Sequence, residues 1–386
     1  MRFRYSVYLL LIAVFIISGC FPSTVSVAPD GRIALPRGDG IYLINLASGK
    51  SSRLYEAEKE KEPSWVQWSP KGNELLYVVK NEIFITSHDG GNLRSICKSQ
   101  STMGFCLWSP DMSMISFTEL GGFNIETEGA PEKESAVEKD DTNLKGEQLP
   151  RLTVLDTKSG KMKWQVPNIF FIHRWMPDSA NIVVFHILRK DKESGTYEGE
   201  IARLRLSDGK LYPIACTTGN ESWLDVSPNG ESVYFTAQTA SLSRETLKTA
   251  EKDSQNRLFR FSLKDGKTDL NDIGRATVFF ASPDSKKLML ARQGETGTDL
   301  VVCDANGGNE KIIASDPAIS TTDMSGGKIL PQWLNNDEIL YWRYITVLAP
   351  GGKSLTAFVG KADGSKTKNI QSVIDQAVMR AEKPKK

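Results

Sequence analysis

Two short patterns alternate through this chain, each seven times and always in the same order, and that recurrence limits the fold more than any single residue does. The first is an aromatic or apolar residue, then a turn, then two apolar residues one apart, seen best in WSPKGNELLY (Trp68 to Tyr77) and WSPDMSMISF (Trp108 to Phe117). It returns around Pro29, Pro177, Pro228 and Pro283 and, degraded, from Trp333. The second is an alternating strand closed by a glycine turn, at Gly49, Gly90, Gly160, Gly209, Gly266, Gly307 and Gly364. Short strands repeating every roughly 40 to 70 residues are the mark of a radial array of sheets.

Each repeat divides into four strands; in the second these are SWVQW (a), ELLYVV (b), EIFITSH (c) and NLRSIC (d). Proline presets φ for a turn position, Asp or Asn accepts a backbone N–H across the turn, and glycine takes positive φ, so the chain reverses at SPKG and again at DGG. The b strands carry apolar pairs at period two, such as Leu75/Tyr77, Ile115/Phe117 and Val233/Phe235. Neighbouring positions are often apolar too, which requires cover on both faces. The reading is an all-β fold: a seven-bladed β-propeller of four-stranded antiparallel blades over 25–368, followed by a short C-terminal helix and basic tail over 369–386. In that helix Ile370, Val373, Ile374, Ala377, Val378 and Ala381 share one face.

The first residues stand apart. Arg2 and Arg4 precede an unbroken apolar run from Val7 to Ile17, which as a helix spans only about 16 Å, short of the roughly 30 Å of a bilayer core. It reads as an export signal over 1–19. Ile17-Ser18-Gly19-Cys20 resembles the lipobox of bacterial lipoproteins, which implies lipidation of Cys20 and anchoring to a membrane of the cell envelope, outside the cytoplasm. Residues 20–24 then form a tether reaching roughly 17 Å.

The WSPDG-type turn, the apolar b strand and the IYxxDxxSG-like c strand resemble the TolB-like propeller repeat from residue 25 to about 370. The α/β domain that precedes the propeller in TolB has no counterpart here. The resemblance implies a periplasmic scaffold that docks another envelope protein or peptide, expected as a monomer and without enzymatic activity. Propellers of this repeat type also resemble the gating domains of oligopeptidases. The alternative is an enzyme or ligand sensor, lactonase-like or binding sugar or peptide, that uses a polar central channel.

The lengths of the connections indicate where a partner would meet the ring. The a–b and c–d turns stay short, whereas b–c connections grow in blade 3 (119–150), blade 4 (189–199), blade 5 (238–256) and blade 7 (343–355). In an antiparallel blade the b–c and d–a connections share a rim, so a contact surface is expected there, centred on blades 3 to 5. Residues 126–148 carry eight acidic side chains, three lysines and no aromatic residue, a composition expected to be disordered. SLSRETLKTAEK in blade 5 is expected to form a short polar helix.

Chemistry is sparse. With 48 basic and 47 acidic side chains, nothing points to nucleic acid. His88, His173 and His186 form no zinc pattern, and neither a nucleophile elbow nor a phosphate-binding glycine loop is present. No metal or cofactor is expected, and Asp30, Asp111, Asp178 and Asp284 read as turn caps in separate blades. Cys97, Cys106, Cys216 and Cys303 are expected as buried free thiols. Trp68, Trp108, Trp175 and Trp333 recur at one position of the innermost strand and are expected to pack between blades. One residue earlier stand Gln67, Arg174, Asp225 and Gln332, which either line a central channel as ligand-binding groups or satisfy one another as buried pairs.

Overall fold

The computed structural model describes residues 25–381 apart from 59–60, 120–148, 191–196, 220–222, 250–255, 264–268, 296, 319–329 and 347–352. The signal, the Cys20 tether and the acidic run of blade 3 therefore lie outside the described residues. Seven antiparallel sheets follow one another along the chain. Blade 1 is β1 (Ser26–Val27), β2 (Arg32–Arg37), β3 (Gly40–Asn45) and β4 (Ser51–Glu56); blade 2 is β5 (Pro63–Trp68), β6 (Glu74–Val79), β7 (Glu82–Ser87) and β8 (Arg94–Lys98). Blade 3 is β9 (Met103–Trp108), β10 (Met114–Glu119), β11 (Arg151–Asp156) and β12 (Met162–Val166). Blade 4 is β13 (Ile169–Trp175), β14 (Asn181–Lys190), β15 (Tyr197–Arg205) and β16 (Lys210–Gly219). Blade 5 is β17 (Leu224–Val226), β18 (Ser232–Ala237), β20 (Arg257–Ser262) and β21 (Asp269–Arg275), with β19 (Thr239–Ser241) and α1 (Arg244–Thr249) between its second and third strands. Blade 6 is β22 (Val278–Ala281), β23 (Lys287–Gln293), β24 (Thr298–Asp304) and β25 (Lys311–Ser315). Blade 7 is β26 (Gln332–Asn335), β27 (Glu338–Thr346), β28 (Lys353–Lys361) and β29 (Thr367–Asn369), and α2 (Gln371–Ala381) ends the described chain. Among the described residues no helix is long and apolar enough to cross a membrane.

The expected seven-bladed all-β ring is what forms. Five consecutive residues of β6, Leu75 to Val79, are all buried, because each sheet is covered on both faces by its neighbours. The turn aspartates act as anticipated: Asp111 Oδ1 accepts the Ser113 amide at 3.0 Å, Asp178 Oδ1 the Ala180 amide at 2.9 Å and Asp284 Oδ1 the Lys286 amide at 3.2 Å. The next residue is left-handed in every such turn. It is glycine at Gly72 and Gly230 (φ 68° and 74°), where an added Cβ would press on Pro29 and Pro177 of the preceding blade at 3.2 and 3.3 Å. Serine replaces it at Ser179 and Ser285 (φ 53° and 62°). There the hydroxyl accepts a backbone N–H of the preceding blade, from Asp111 at 2.9 Å and Asn229 at 3.0 Å, which offsets part of the strain.

The excursions depart from loops in two ways. In blades 4 and 7 they are continued pairing: β14 and β15 pair on, through a bulge between Ile187 and Arg189, to Lys190↔Tyr197, and β27 and β28 stay in register to Thr346↔Lys353. In blade 4 the extension is sealed by Arg189–Glu198 at 2.6 Å and by Lys190 over the Tyr197 ring. In blade 5 the excursion contains the short helix α1 as expected. It also gives β19 to the neighbouring sheet, where it pairs with β16 and makes blade 4 five-stranded.

Among the described residues no strand is exchanged between the first and last blades. The seam between blades 7 and 1 is instead filled by α2, whose Ile374, Ala377 and Val378 pack with Val25, Ile33, Tyr42 and Ile44 of blade 1 and Leu340, Trp342 and Ala357 of blade 7. The helix is thus a wedge between two blades, a more specific place than the ring edge. All four body cysteines are buried free thiols; burial pushes the Cys97 and Cys303 thiols up to about 12.

Candidate functional site

The innermost strand of each blade is an edge strand: one side of its backbone pairs within the blade, the other faces the axis with free N–H and C=O groups. The next blade's inner strand is too splayed to pair with it, so side chains bridge the gap. Ser26 Oγ of blade 1 accepts the Trp68 amide of blade 2 at 2.9 Å, Gln67 Oε1 accepts the Trp108 amide at 3.1 Å, and Asp225 Oδ2 accepts the Ala281 amide at 3.0 Å. These donors occupy one position in the repeat and so do the acceptors. Two residues before the acceptor, Trp65 Nε1 donates to Cys106 O and Trp223 Nε1 to Phe279 O, both at 2.7 Å. A pair of clips per seam therefore stitches blade 2 to 3 and blade 5 to 6.

The recurrent tryptophans pack between blades, as expected. Trp108 Nε1 donates to Gln67 O at 3.4 Å, Trp333 Nε1 to Phe280 O at 3.1 Å and Trp175 Nε1 to Ser116 Oγ at 2.7 Å, each in the preceding blade. His173 is buried and shares Ser116 Oγ at 2.7 Å, and His186 is buried beside Glu200 at 3.3 Å, so both face blade interiors. His88 is exposed at the c–d turn of blade 2, where its amide donates to Asn73 O.

Around the axis these strands enclose a cavity of about 420 Å³, to which Gln67, Arg174 and Gln332 contribute. Of the two alternatives drawn for the polar column, the buried pair is seen at Arg174 and Asp225. Arg174 Nε and Asp225 Oδ1 form an ion pair at 3.3 Å with both side chains 16% exposed, and the guanidinium lies 5.7 Å from the Trp223 ring centre. Asp225 also accepts the Val226 amide; burial nevertheless pushes its carboxyl up, against the pull of Arg174 and the two amides. Gln67 is committed through its oxygen but not its NH₂, and Gln332 makes no side-chain hydrogen bond among the described residues. Two amides are thus uncommitted at the cavity wall.

The aromatic part of the wall was not anticipated. Trp65, Phe105, Trp223 and Phe280 meet edge-to-face in sequence, with ring centres 5.0, 6.0 and 5.4 Å apart. Trp65, Phe105 and Trp223 stand two residues nearer the b–c rim than the polar column, and Phe280 stands in that column itself, so that the four form a collar. The sequence signal was the column two residues before Gln67, Leu107 and Asp225, on the same strand face; with Ile172 in blade 4 and Val278 in blade 6 it lacks the tryptophan recurrence that marks the packing column. Among the described residues no three His, Cys, Asp or Glu side chains are placed to hold a metal ion.

The sequence matches no protein-family model, and no curated protein is significantly similar to it. Solved structures do share the architecture. The β-propeller domain of the Trilobed protease from Pyrococcus furiosus, described as having an open velcro topology, superposes with a TM-score of 0.58 at 14% identity over 91% of this chain and 95% of that one. Oligogalacturonate lyase from Vibrio parahaemolyticus gives 0.58 at 11% identity over 88% and 90%. TolB from Acinetobacter baumannii gives 0.46 at 14% identity over 87% and 77%. At these identities the likeness is one of fold.

Proposed function

We propose that this chain is a lipid-anchored protein of the bacterial cell envelope whose propeller binds another envelope protein or peptide, without turnover, through the b–c rim centred on blades 3 to 5. The observation that carries the reading is that the strands of blades 3, 4, 5 and 7 open their enlarged b–c connections on that one rim, while among the described residues the opposite rim holds tight, capped turns. Repeat folds elaborate the side they bind with. The β19 strand supports it further, because it fastens the blade 5 excursion to blade 4 and presents both as one surface. Crosslinking in envelope fractions tests this: shortening 120–148 to a turn, and separately replacing 238–256 by a tight turn, should abolish the adducts formed by the intact chain. Undiminished adducts from both variants would refute the placement.

A second reading rests on the cavity. Its edge-to-face aromatic wall and the free amides of Gln67 and Gln332 suit a small apolar or sugar-ring ligand that also hydrogen bonds. Intrinsic tryptophan fluorescence of Trp65 and Trp223 titrated with tri- and tetrasaccharides and with tripeptides measures it; a flat signal across the set, with the fold intact, removes this reading.

A further inference from the structure

The hydrogen bonds that stitch the inner strands consume acceptors and leave donors, which gives the axial cavity a chemical bias beyond its aromatic collar. Four inner-strand carbonyls, Gln67 O, Cys106 O, Phe279 O and Phe280 O, each accept an indole N–H. Ser26 Oγ and Gln67 Oε1 accept the clip amides of Trp68 and Trp108. Asp225 is taken up by Arg174 and by the Val226 and Ala281 amides, and it does not line the cavity; among the described residues no acidic side chain does. What remains at the wall donates. Ser26 keeps its hydroxyl proton and Gln67 its NH₂. Arg174 spends Nε on Asp225 and Nη1 on His173 O, at 3.3 and 3.0 Å, which leaves Nη2 without a partner among the described residues. The Trp175 amide is the fourth donor. Its register with Ile182 repeats that of Trp108 with Ile115, one step before the Met176 and Ser109 amides that close the a–b turns, so its N–H points out of the blade as that of Trp108 does. In blade 3 the clip position is Leu107, whose side chain has no acceptor to offer it.

We infer that the axial cavity binds a small carboxylate, its one anionic group held by the Arg174 guanidinium with the Trp175 amide and the Gln67 NH₂, and its ring or apolar body set against Trp65, Phe105, Trp223 and Phe280. This rests on the reading of the cavity as a ligand site. Charge and hydrogen-bond sense fix the class. An ionised carboxylate only accepts, which suits a wall whose acceptors are already engaged, and it forms its strongest hydrogen bonds with a guanidinium. Asp225 does not displace it, because that carboxylate is held at Nε and by two backbone amides while Nη2 stays open. A cation meets no anionic side chain here, and a phosphate dianion brings a second charge that nothing in the wall offsets. Arg174 and Trp175 are consecutive on β13 and both line the cavity, so one strand delivers the charge and the backbone donor together.

The test titrates the full chain with matched pairs that differ only at the acidic group: acetylphenylalanine against its amide, and cellobiouronic acid against cellobiose, read by tryptophan fluorescence and calorimetry. In at least one pair the acid should bind about tenfold or more tighter than its neutral twin, and which pair responds tells a peptide end from an acidic sugar. Leu107→Gln supplies the missing acceptor in the manner of Gln67 and removes no hydrogen bond; it should cut the preference for the acid several-fold without lowering the Tm. Arg174→Gln combined with Asp225→Asn removes the guanidinium without stranding a buried carboxylate, and should erase the preference. Twins that bind alike, or a preference that both variants retain, overturn the carboxylate assignment and leave the cavity a ligand site. No binding of any of the four compounds to the folded chain removes the ligand reading of the cavity and this inference with it.

Discussion

The seam between blades 2 and 3 and the seam between blades 7 and 1 are held by different means. Across the first, Gln67 and Trp65 clip the inner strand of blade 3, and a continuous apolar core runs on through Ile83, Cys106, Phe117 and Val154 into blade 4. At the second, the inner strand β1 has two residues and the outer strand β29 three, and a helix supplies the missing contact. Seams joined by the chain can rely on short polar clips because the connection already limits how far the blades part. The closing seam has no such connection, so it depends on apolar area.

The largest expected effect therefore comes from deleting 370–386. Removing Ile370, Ile374 and Val378 from their buried positions forfeits about 1.5–3 kcal/mol each, a large part of the roughly 5–15 kcal/mol a domain has. Insoluble protein, or a Tm far below that of any single clip variant, is expected in thermal scans; a Tm within a few degrees of the intact chain would show that the seam closes without the helix. Next comes Trp65→Ala, which removes a buried ring and a hydrogen bond at the 2–3 seam, for about 3–5 kcal/mol by chemical denaturation. Trp65→Phe separates the terms: keeping a ring while orphaning Cys106 O should lose only about 1–2 kcal/mol.

Smaller still is Gln67→Ala, which leaves the Trp108 amide without its acceptor and should cost about 1–2 kcal/mol. Gln332→Ala, at the same column but with no bond to lose, should change stability by under about 0.5 kcal/mol. Equal urea midpoints for the two would mean that the clip contributes nothing. The smallest effect is one of pH. The Ser159 amide, more than any other contact, holds the Asp156 carboxyl below the usual carboxylate range; its stabilisation is present above that range and is lost as pH falls through the lowered value. Asp225 has the opposite sign. Burial raises its value, so its contribution is fullest below the ordinary range and is lost as pH rises through the raised value. Asp156→Asn should thus be more destabilising at about pH 7 than at about pH 3, and Asp225→Asn the reverse; a common direction in urea midpoints contradicts the clip environment described for Asp225.

Much of the ring was legible because its punctuation is chemical. Proline, aspartate and glycine in WSPKG and SHDGG each impose a local geometry, and Leu75 to Val79 announce two buried faces regardless of what covers them. Other features depend on the neighbour. The amphipathic face of α2 was visible, but nothing in QSVIDQAVMRA says that it fills the space between the first and last blades. β19 is three residues, Thr-Ala-Ser, too short to carry a period, and it exists because the end of β16 offers free backbone groups beside it. For the polar column, the residue types showed that something was bonded near the axis. Whether Gln67 reaches a ligand or the Trp108 amide is set by the distance between adjacent inner strands, which no local pattern encodes.

Since among the described residues no sheet joins the first blade to the last, the molecule is a ribbon of seven tiles, two of them tied together by β19, rolled until its ends touch. Unrolling it at α2 breaks no ladder within a tile, so the lowest-energy opening of the body is a lateral one that lays the axis bare along its full height. Such an opening would bypass the collar of Trp65, Phe105, Trp223 and Phe280, and amide exchange in β1 and β29 is where it would first be seen.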